Sequence, residues 1–299
     1  MRDADHGDAF AIGEVSTAAV AHLVRSSASV EAEMRDDGRL GRRRWVGLID
    51  REVAGTATAH QVAEHRGERH LQVDVHVRPR HGSQGVGTQL LLTAAGAFPE
   101  ATRLQAVADG GPISLAFALR NGFLPESEQP VALVDPRTVP LADPGACGLR
   151  AVTLEALPDL RMLLETHSLA TADDRRQPRL TMYQLRAEWW GRPDNAPDLS
   201  WGLLAAGPGR PVLAAFTSVR VDHERGRAWS RMTATHPSFR GQGLAQWVKR
   251  RTLESLAGAG VTEAWAGVPT HNAPMLAVNE ALGYRPAATA VSLGRRLRH

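Results

Sequence analysis

The sequence predicts a mixed α/β chain of the α+β type, built from two tandem copies of one domain. Three observations predict it. The chain has 299 residues, a length that suits about two domains. Two segments recur in the same order at nearly the same spacing. In the second half, periodicity and turn residues read as β-α-α-β-β-β-α-β-α-β.

The repeat is explicit. Residues 73–92 read VDVHVRPRHGSQGVGTQLLL, and residues 231–250 read RMTATHPSFRGQGLAQWVKR. Both run strand, proline turn, glycine loop, helix. Val77-x-Pro79 aligns with Thr235-x-Pro237, and Gln84-Gly85-Val86-Gly87 with Gln242-Gly243-Leu244-Ala245, at an offset of 158 residues. LAFALRNGFLP at 115–125 then aligns with LAVNEALGYRP at 276–286, at an offset of 161. Pro136, Pro140, Pro144 and Gly145 mark the connection. The expected domains are therefore 1–140 and 149–299, joined by a linker at 141–148.

In the second half, 149–152 reads as a short strand. Residues 154–166 read as an amphipathic helix with Leu157, Leu160, Leu163 and Leu164 on one face. A second helix is expected at 182–190. Residues 201–206, 211–221 and 227–235 read as strands, the last ended by Pro237. A helix at 243–258, a strand at 263–268, a helix at 273–282 stopped by Gly283 and a strand at 287–293 complete the copy. The first half reads similarly, with a helix at 16–28 and strands near 43–50, 52–60 and 70–77.

Composition excludes several classes. No apolar run approaches the roughly 18 residues that a membrane helix needs. The N-terminal MRDADHGDAF has no signal-peptide core, so a cytoplasmic location is expected. Cys147 is the only cysteine, which rules out an intrachain disulfide. His60, His65, His70 and His76 have no metal-site spacing, so they read as mostly exposed and no metal is expected. The net charge is +3 and the pI about 9.7, with Lys249 the only lysine. That excess suits an anionic nucleotide cofactor, whereas nucleic acid would call for a basic run interleaved with aromatics.

Arg240-Gly241-Gln242-Gly243-Leu244-Ala245 sits where a strand gives way to a helix. Free backbone N–H groups at a helix start make an anion site there, and Arg240 can add a charge-assisted bond. The GK[ST] ending of a Walker loop is missing, and the spacing is not that of a dinucleotide fingerprint.

The run TATHPSFRGQGLA, followed by Asn272, Asn279 and Gly283-Tyr284, resembles the GNAT superfamily of acyl-CoA-dependent N-acyltransferases. Arg240, Gly243 and Ala245 satisfy its R/Q-x-x-G-x-G/A pattern. The resemblance implies two tandem GNAT-like domains, each with a mixed, mostly antiparallel sheet flanked by helices. The tandem arrangement is similar to that of mycothiol-synthase-like proteins. The resemblance also implies acetyl-CoA as cofactor. Gly241 and the amides from Gln242 through Gly243 and Leu244 to Ala245 would cradle the pyrophosphate. Thr233, Ala234 and Thr235 would pair with the pantetheine arm, Asn272 and Met275 would contact it, and Asn279 would lie by the thioester sulfur. The first half resembles the family more weakly. Gly82 stands where the second copy has Arg240, and Gly111 and Ala118 where it has Asn272 and Asn279. The first copy is accordingly expected to be degenerate and structural.

The expected reaction is direct acetyl transfer to the amine of a small molecule. A base takes the amine proton, and an acid can serve the leaving thiolate. The family often places a tyrosine acid where this chain has Asn279. Glu188 and Asp222 are the base candidates. Glu224, Asp173 and Asp174 are weighed with them, and the plain reading of each is a solvated carboxylate. His236 is expected to support the loop, and His271 neighbours Asn272. One of Trp189 and Trp190 is expected at the acceptor groove or at an interdomain contact. The competing function is a non-catalytic acyl-CoA-binding or interaction protein. Nothing in the sequence fixes the acceptor or the assembly state, and a homodimer is compatible with it.

Overall fold

The computed structural model describes residues 1–62, 68–140, 148–172, 180–207 and 209–297. The chain forms two compact units, one of Met1–Val131 with Ala287–His299, the other of Ala132–Pro286. The expected linker at 141–148 falls almost entirely outside the described residues. The units differ from the expected domains in their last strands. Residues from 287 onward belong to the first unit, and the chain enters the second at Ala132.

In the first unit, β1 (Arg2–Asp3), β2 (Arg43–Ile49), β3 (Glu52–Gln61) and β4 (His70–Val77) form antiparallel neighbours. β5 (Arg103–Ala108) runs parallel to β4. β6 (Leu124–Val134) follows later in the chain. The expected helix at 16–28 is instead a break between α1 (Ala9–Ala19) and α2 (Ser27–Asp36). Ser26 causes the restart, since its hydroxyl accepts the Ser29 N–H at 3.2 Å as an N-cap. α1 and α2 bury Ile12, Val15 and Val30 against Val46 on one sheet face. α3 (Val86–Gly96) buries Leu90 and Leu91 against Ala57, Leu71 and Val73 on the other. α4 (Pro112–Arg120) precedes β6.

The second unit repeats the plan with β7 (Arg150–Thr153), β8 (Trp201–Ala205), β9 (Val212–Asp222) and β10 (Arg227–Thr235) antiparallel, and β11 (Glu263–Gly267) parallel to β10. α5 (Arg161–Ala170) starts later than expected because Pro158 and Asp159 hold the preceding residues in turns, and the Asp159 carboxylate accepts the Arg161 N–H at 2.9 Å. The expected helix at 182–190 is α6 (Met182–Gln184) continued by a π turn (Leu185–Trp190). α5 and the π turn pack Leu163 and Leu185 onto Phe216 and Ala234. On the opposite face, α7 (Leu244–Gly258) presents Leu244, Val248, Lys249, Thr252, Leu253 and Leu256 at helical spacing. α8 (Ala273–Ala281) and β12 (Arg285–Arg296) end the chain. β12 pairs antiparallel with β5, and its Val291 and Leu293 lie in the first unit's core. No helix of the described residues is long and apolar enough to cross a membrane.

Candidate active site

The site begins with an opening in the second unit's sheet. β10 and β11 are paired only at Arg227↔Glu263, Ala228↔Ala264 and Trp229↔Trp265, after which β10 runs on to Thr235 paired with β9 but not with β11. The register against β9 shifts between Ser230 and Met232, so Arg231 is an extra residue that bends the strand away. The His236 N–H is donated to the Ala214 carbonyl at 2.8 Å, toward β9. Strand alternation then turns the main-chain groups of Thr233 and Thr235 toward the opening. The Thr233 side chain points to the α7 face, where its hydroxyl lies 3.0 Å from that of Thr217. Ala234 is buried on the α5 side.

The glycine loop lies at the end of this opening. Gly241 and Gly243 have φ of +76° and +73°, the left-handed conformation that favours glycine. A Cβ at either position would meet nothing within 4 Å, so the loop's concave side is open. Gly243 is the N-cap of α7 and offers no side-chain cap, which leaves the helix's first N–H groups for an anion. Gln242 is exposed, Leu244 anchors the helix start in the core, and Ala245 is half-buried. One Arg240 Nη donates to the Ala170 carbonyl at 3.1 Å, so this side chain also ties the loop to the end of α5. His236 supports the loop, as expected: its Nδ1 accepts the Ser238 N–H at 3.2 Å and its ring meets Phe239 edge-on.

Asn279 is the only buried residue of α8, and its Oδ1 is buried without a hydrogen-bond partner among the described residues. A buried acceptor left unpaired is costly, and a ligand that supplies a donor would relieve it. Asn272 is the N-cap of α8, its Oδ1 accepting the Met275 N–H at 3.3 Å. That bond engages the side-chain oxygen and leaves the amide NH2 for a ligand. Asn272→Ala is expected to lower stability by about 1 kcal/mol, read by urea unfolding. Met275 is half-buried on the next turn.

The base candidates fare differently. Asp222 is 1% exposed and is held by Arg225, Oδ2 accepting the guanidinium at 2.7 Å and Oδ1 the backbone N–H at 3.3 Å. It locks the β9–β10 turn, at the opposite end of β10 from the loop. Glu224 is exposed on the same turn. The side chain of Glu188 lies outside those described, as do Asp173 and Asp174. Trp189 and Trp190 both pack on the core of their own unit. Trp189 meets His167 edge-on at 5.6 Å and lies under the bulged Arg231 guanidinium at 4.6 Å. His167 is buried, which lowers its pKa.

Sequence reasoning missed Lys249. Its Nζ donates to the Ser230 hydroxyl at 3.1 Å and sits 5.1 Å from the Tyr284 ring centroid, at the point where β10 and β11 part. Burial pushes the ammonium down to about 8 and the Tyr284 phenol well up. The signal was present, because 249 falls on the same helical stripe as Leu253 and Leu256.

The first unit keeps the backbone of this site. β4 is paired with β5 only at His70–Gln72 and continues to Val77. Ser83 and Gly85 take φ of +63° and +82°, matching Gly241 and Gly243, and α3 likewise starts without a side-chain cap. What differs is the side chains: Gly82 for Arg240, and the buried Ala118 for Asn279.

Comparison with known structures gives the same two-unit plan. A tandem GNAT protein from the clavulanic acid biosynthesis pathway is similar at 20% identity and a TM-score of 0.72, over 98% of this chain and 97% of that one. A GCN5-related N-acetyltransferase from Sphaerobacter thermophilus is similar at 18% identity and a TM-score of 0.63, over 100% and 95%. One from Kribbella flavida is similar at 18% identity and a TM-score of 0.55, over 91% and 96%. At these identities the likeness shows the fold. The model of the Acetyltransferase (GNAT) family matches residues 18–123 and 163–284, more than half of the chain and one stretch in each half. With the loop, the opened strands and both matched stretches in place, the chain belongs to the Acetyltransferase (GNAT) family.

Proposed function

We propose that this protein is an acetyl-CoA-dependent N-acetyltransferase that transfers the acetyl group directly to the amine of a small molecule, with its active site in the C-terminal unit. The observation that carries the reading is the uncapped, glycine-opened start of α7 directly after the unpaired end of β10. The uncapped start of α7 and the open edge of β10 fit the phosphate and amide arm of one elongated ligand, and the unpaired Oδ1 of Asn279 fits an N–H donor of that arm. Acetyl-CoA supplies an activated thioester when bound.

The chain's own groups bind and orient it. Backbone N–H groups from Gln242 to Ala245 hold the pyrophosphate, and Arg240 adds charge. Main-chain groups of Thr233 and Thr235 hold the arm as an added strand would, with the Asn272 amide and Met275 beside it. At the sulfur end, where the family's tyrosine acid is absent, Asn279 donates from its side-chain NH2. With Asp222 committed to Arg225, the role of base to the amine falls to the other candidates, of which Glu188 is the one we assign. The cytoplasm, where acetyl-CoA is made and used, is the location this reading implies.

Thiol release from acetyl-CoA across amino acids, amino sugars and polyamines tests the reading. Asn279→Leu is expected to lower kcat for any active amine by roughly tenfold or more, in line with loss of one transition-state contact. If the protein binds acetyl-CoA and no amine elicits thiol, the non-catalytic acyl-CoA-binding reading replaces this one.

A further inference from the structure

Lys249 has no part in the reading above, yet it stands at the vertex of the opening. Trp229 is the last residue of β10 that pairs with β11, and Ser230, the next one, accepts the bond from the Lys249 Nζ at 3.1 Å. An ammonium carries three N–H donors, so two remain after Ser230. The cavity beside it measures about 10 Å³, room for one water. β9 lines that cavity with Thr217 and Val219, β11 with Ala264, and α7 itself with Thr252. Tyr284 is the other titratable group there, and burial pushes its phenol well up, so it stays neutral. The one buried residue of α8 is the uncharged Asn279. The Thr252 Oγ1 is buried without a partner, but neither a hydroxyl nor a water brings negative charge. A buried cation with no anion among the described residues is costly, and an anion at this vertex would offset that cost.

The first unit shows that the fold does not need this charge. At the offsets of 158 and 161 residues, Lys249 and Tyr284 correspond to Leu91 and Phe123, both buried in the core of their unit. The same vertex is thus apolar in the unit whose cofactor side chains are worn, and cationic in the unit that keeps them.

The position suits the far end of the ligand. From Thr235, beside the glycine loop, back to Ser230, β10 covers about 17 Å, a length that an extended pantetheine arm spans. An arm laid along β10 from the loop therefore brings its sulfur to the vertex. Acetyl transfer forms a bond from the amine nitrogen to the acetyl carbon and breaks the carbon–sulfur bond. The electron pair of the broken bond goes to sulfur, and the amine proton goes to the base. Asn279 can meet that sulfur only with a neutral amide, whereas an ammonium gives a charge-assisted bond about twice as strong.

We propose that the Lys249 ammonium is the counter-charge of the leaving sulfur, donating one of its two remaining N–H bonds to the thiolate. The assignment rests on the acetyl-transfer reading above. Burial holds the ammonium down to about 8, so it is still mostly charged at pH 7.

Coenzyme A with its free thiol is the probe. The ultraviolet absorbance of the thiolate, with the desulfo-coenzyme A complex as blank, follows the thiol in the full-length protein, and calorimetry on the same samples records binding. Below pH 8, where Lys249 is charged, the bound thiol is expected to show at least about tenfold more thiolate than free coenzyme A. In Lys249→Met it is expected to titrate at or above the free coenzyme, because burial then acts without the charge. A bound thiol that titrates like the free one, or the same lowering in Lys249→Met, overturns this inference alone. Coenzyme A that does not bind at all overturns the cofactor reading, and this inference with it.

Discussion

Gly243→Trp is expected to lower acetyl-CoA affinity by at least about 100-fold, measured by calorimetry, with the fold intact. Two effects act together. Gly243 has φ +73°, and a side chain there strains the backbone by about 1–2 kcal/mol. The indole also fills the space beside the first N–H groups of α7, which an anion needs. Gly243→Ala separates them. It carries the strain with a methyl group in open space, so it is expected to retain much more affinity than the tryptophan variant. Gly85→Trp is the matched control in the N-terminal unit, where Gly82 supplies no charge. If Gly243→Trp binds acetyl-CoA as the unaltered protein does, the cofactor does not sit on this loop.

The second half of this site was legible because its determinants are local. Pro237 ends β10 and the glycines force the turn, so the strand was expected at 227–235 and is found there. The expectations that failed depend on longer range. The α1–α2 break turns on one capping serine that a run of apolar residues obscured. Which sheet β12 joins is decided by partners far away in the chain, so an internal offset could not reveal it. The Arg231 bulge has no residue signature at all. His60, His70 and His76 looked exposed by spacing, yet each is half-buried; His65 lies outside the described residues. The alternation of Gln72, Asp74 and His76 with Val73, Val75 and Val77 was in the sequence, but only the strand pairing shows what the polar face meets. Asp222 looked like a free strand-end carboxylate because its partner Arg225 lies across a turn.

Lys249→Met is expected to raise stability at pH 7 by about 2–3 kcal/mol, read from urea unfolding. The residue is 3% exposed, no carboxylate pairs with it among the described residues, and its Nζ donates to the Ser230 hydroxyl. Holding an ammonium there lowers its pKa from 10.5 to about 8, which corresponds to roughly 3 kcal/mol of charge burial. Methionine is similar in volume and carries no charge to desolvate. The pH dependence fixes the sign. Below pH 8 both folded and unfolded chains carry the proton, and the full penalty is present. Between pH 8 and 10.5 the unfolded chain keeps a proton that the folded chain has released, so stability of the unaltered protein rises with pH. The advantage of methionine is therefore greatest below pH 8 and fades as pH approaches 10.5. A loss of stability in Lys249→Met at pH 7, with an unchanged pH slope, would mean that the ammonium is solvated or paired. A gain would show that the chain's only lysine is kept against its own stability. Its place where β10 and β11 part, bonded to Ser230 at the end of the opening, then points to function as the reason.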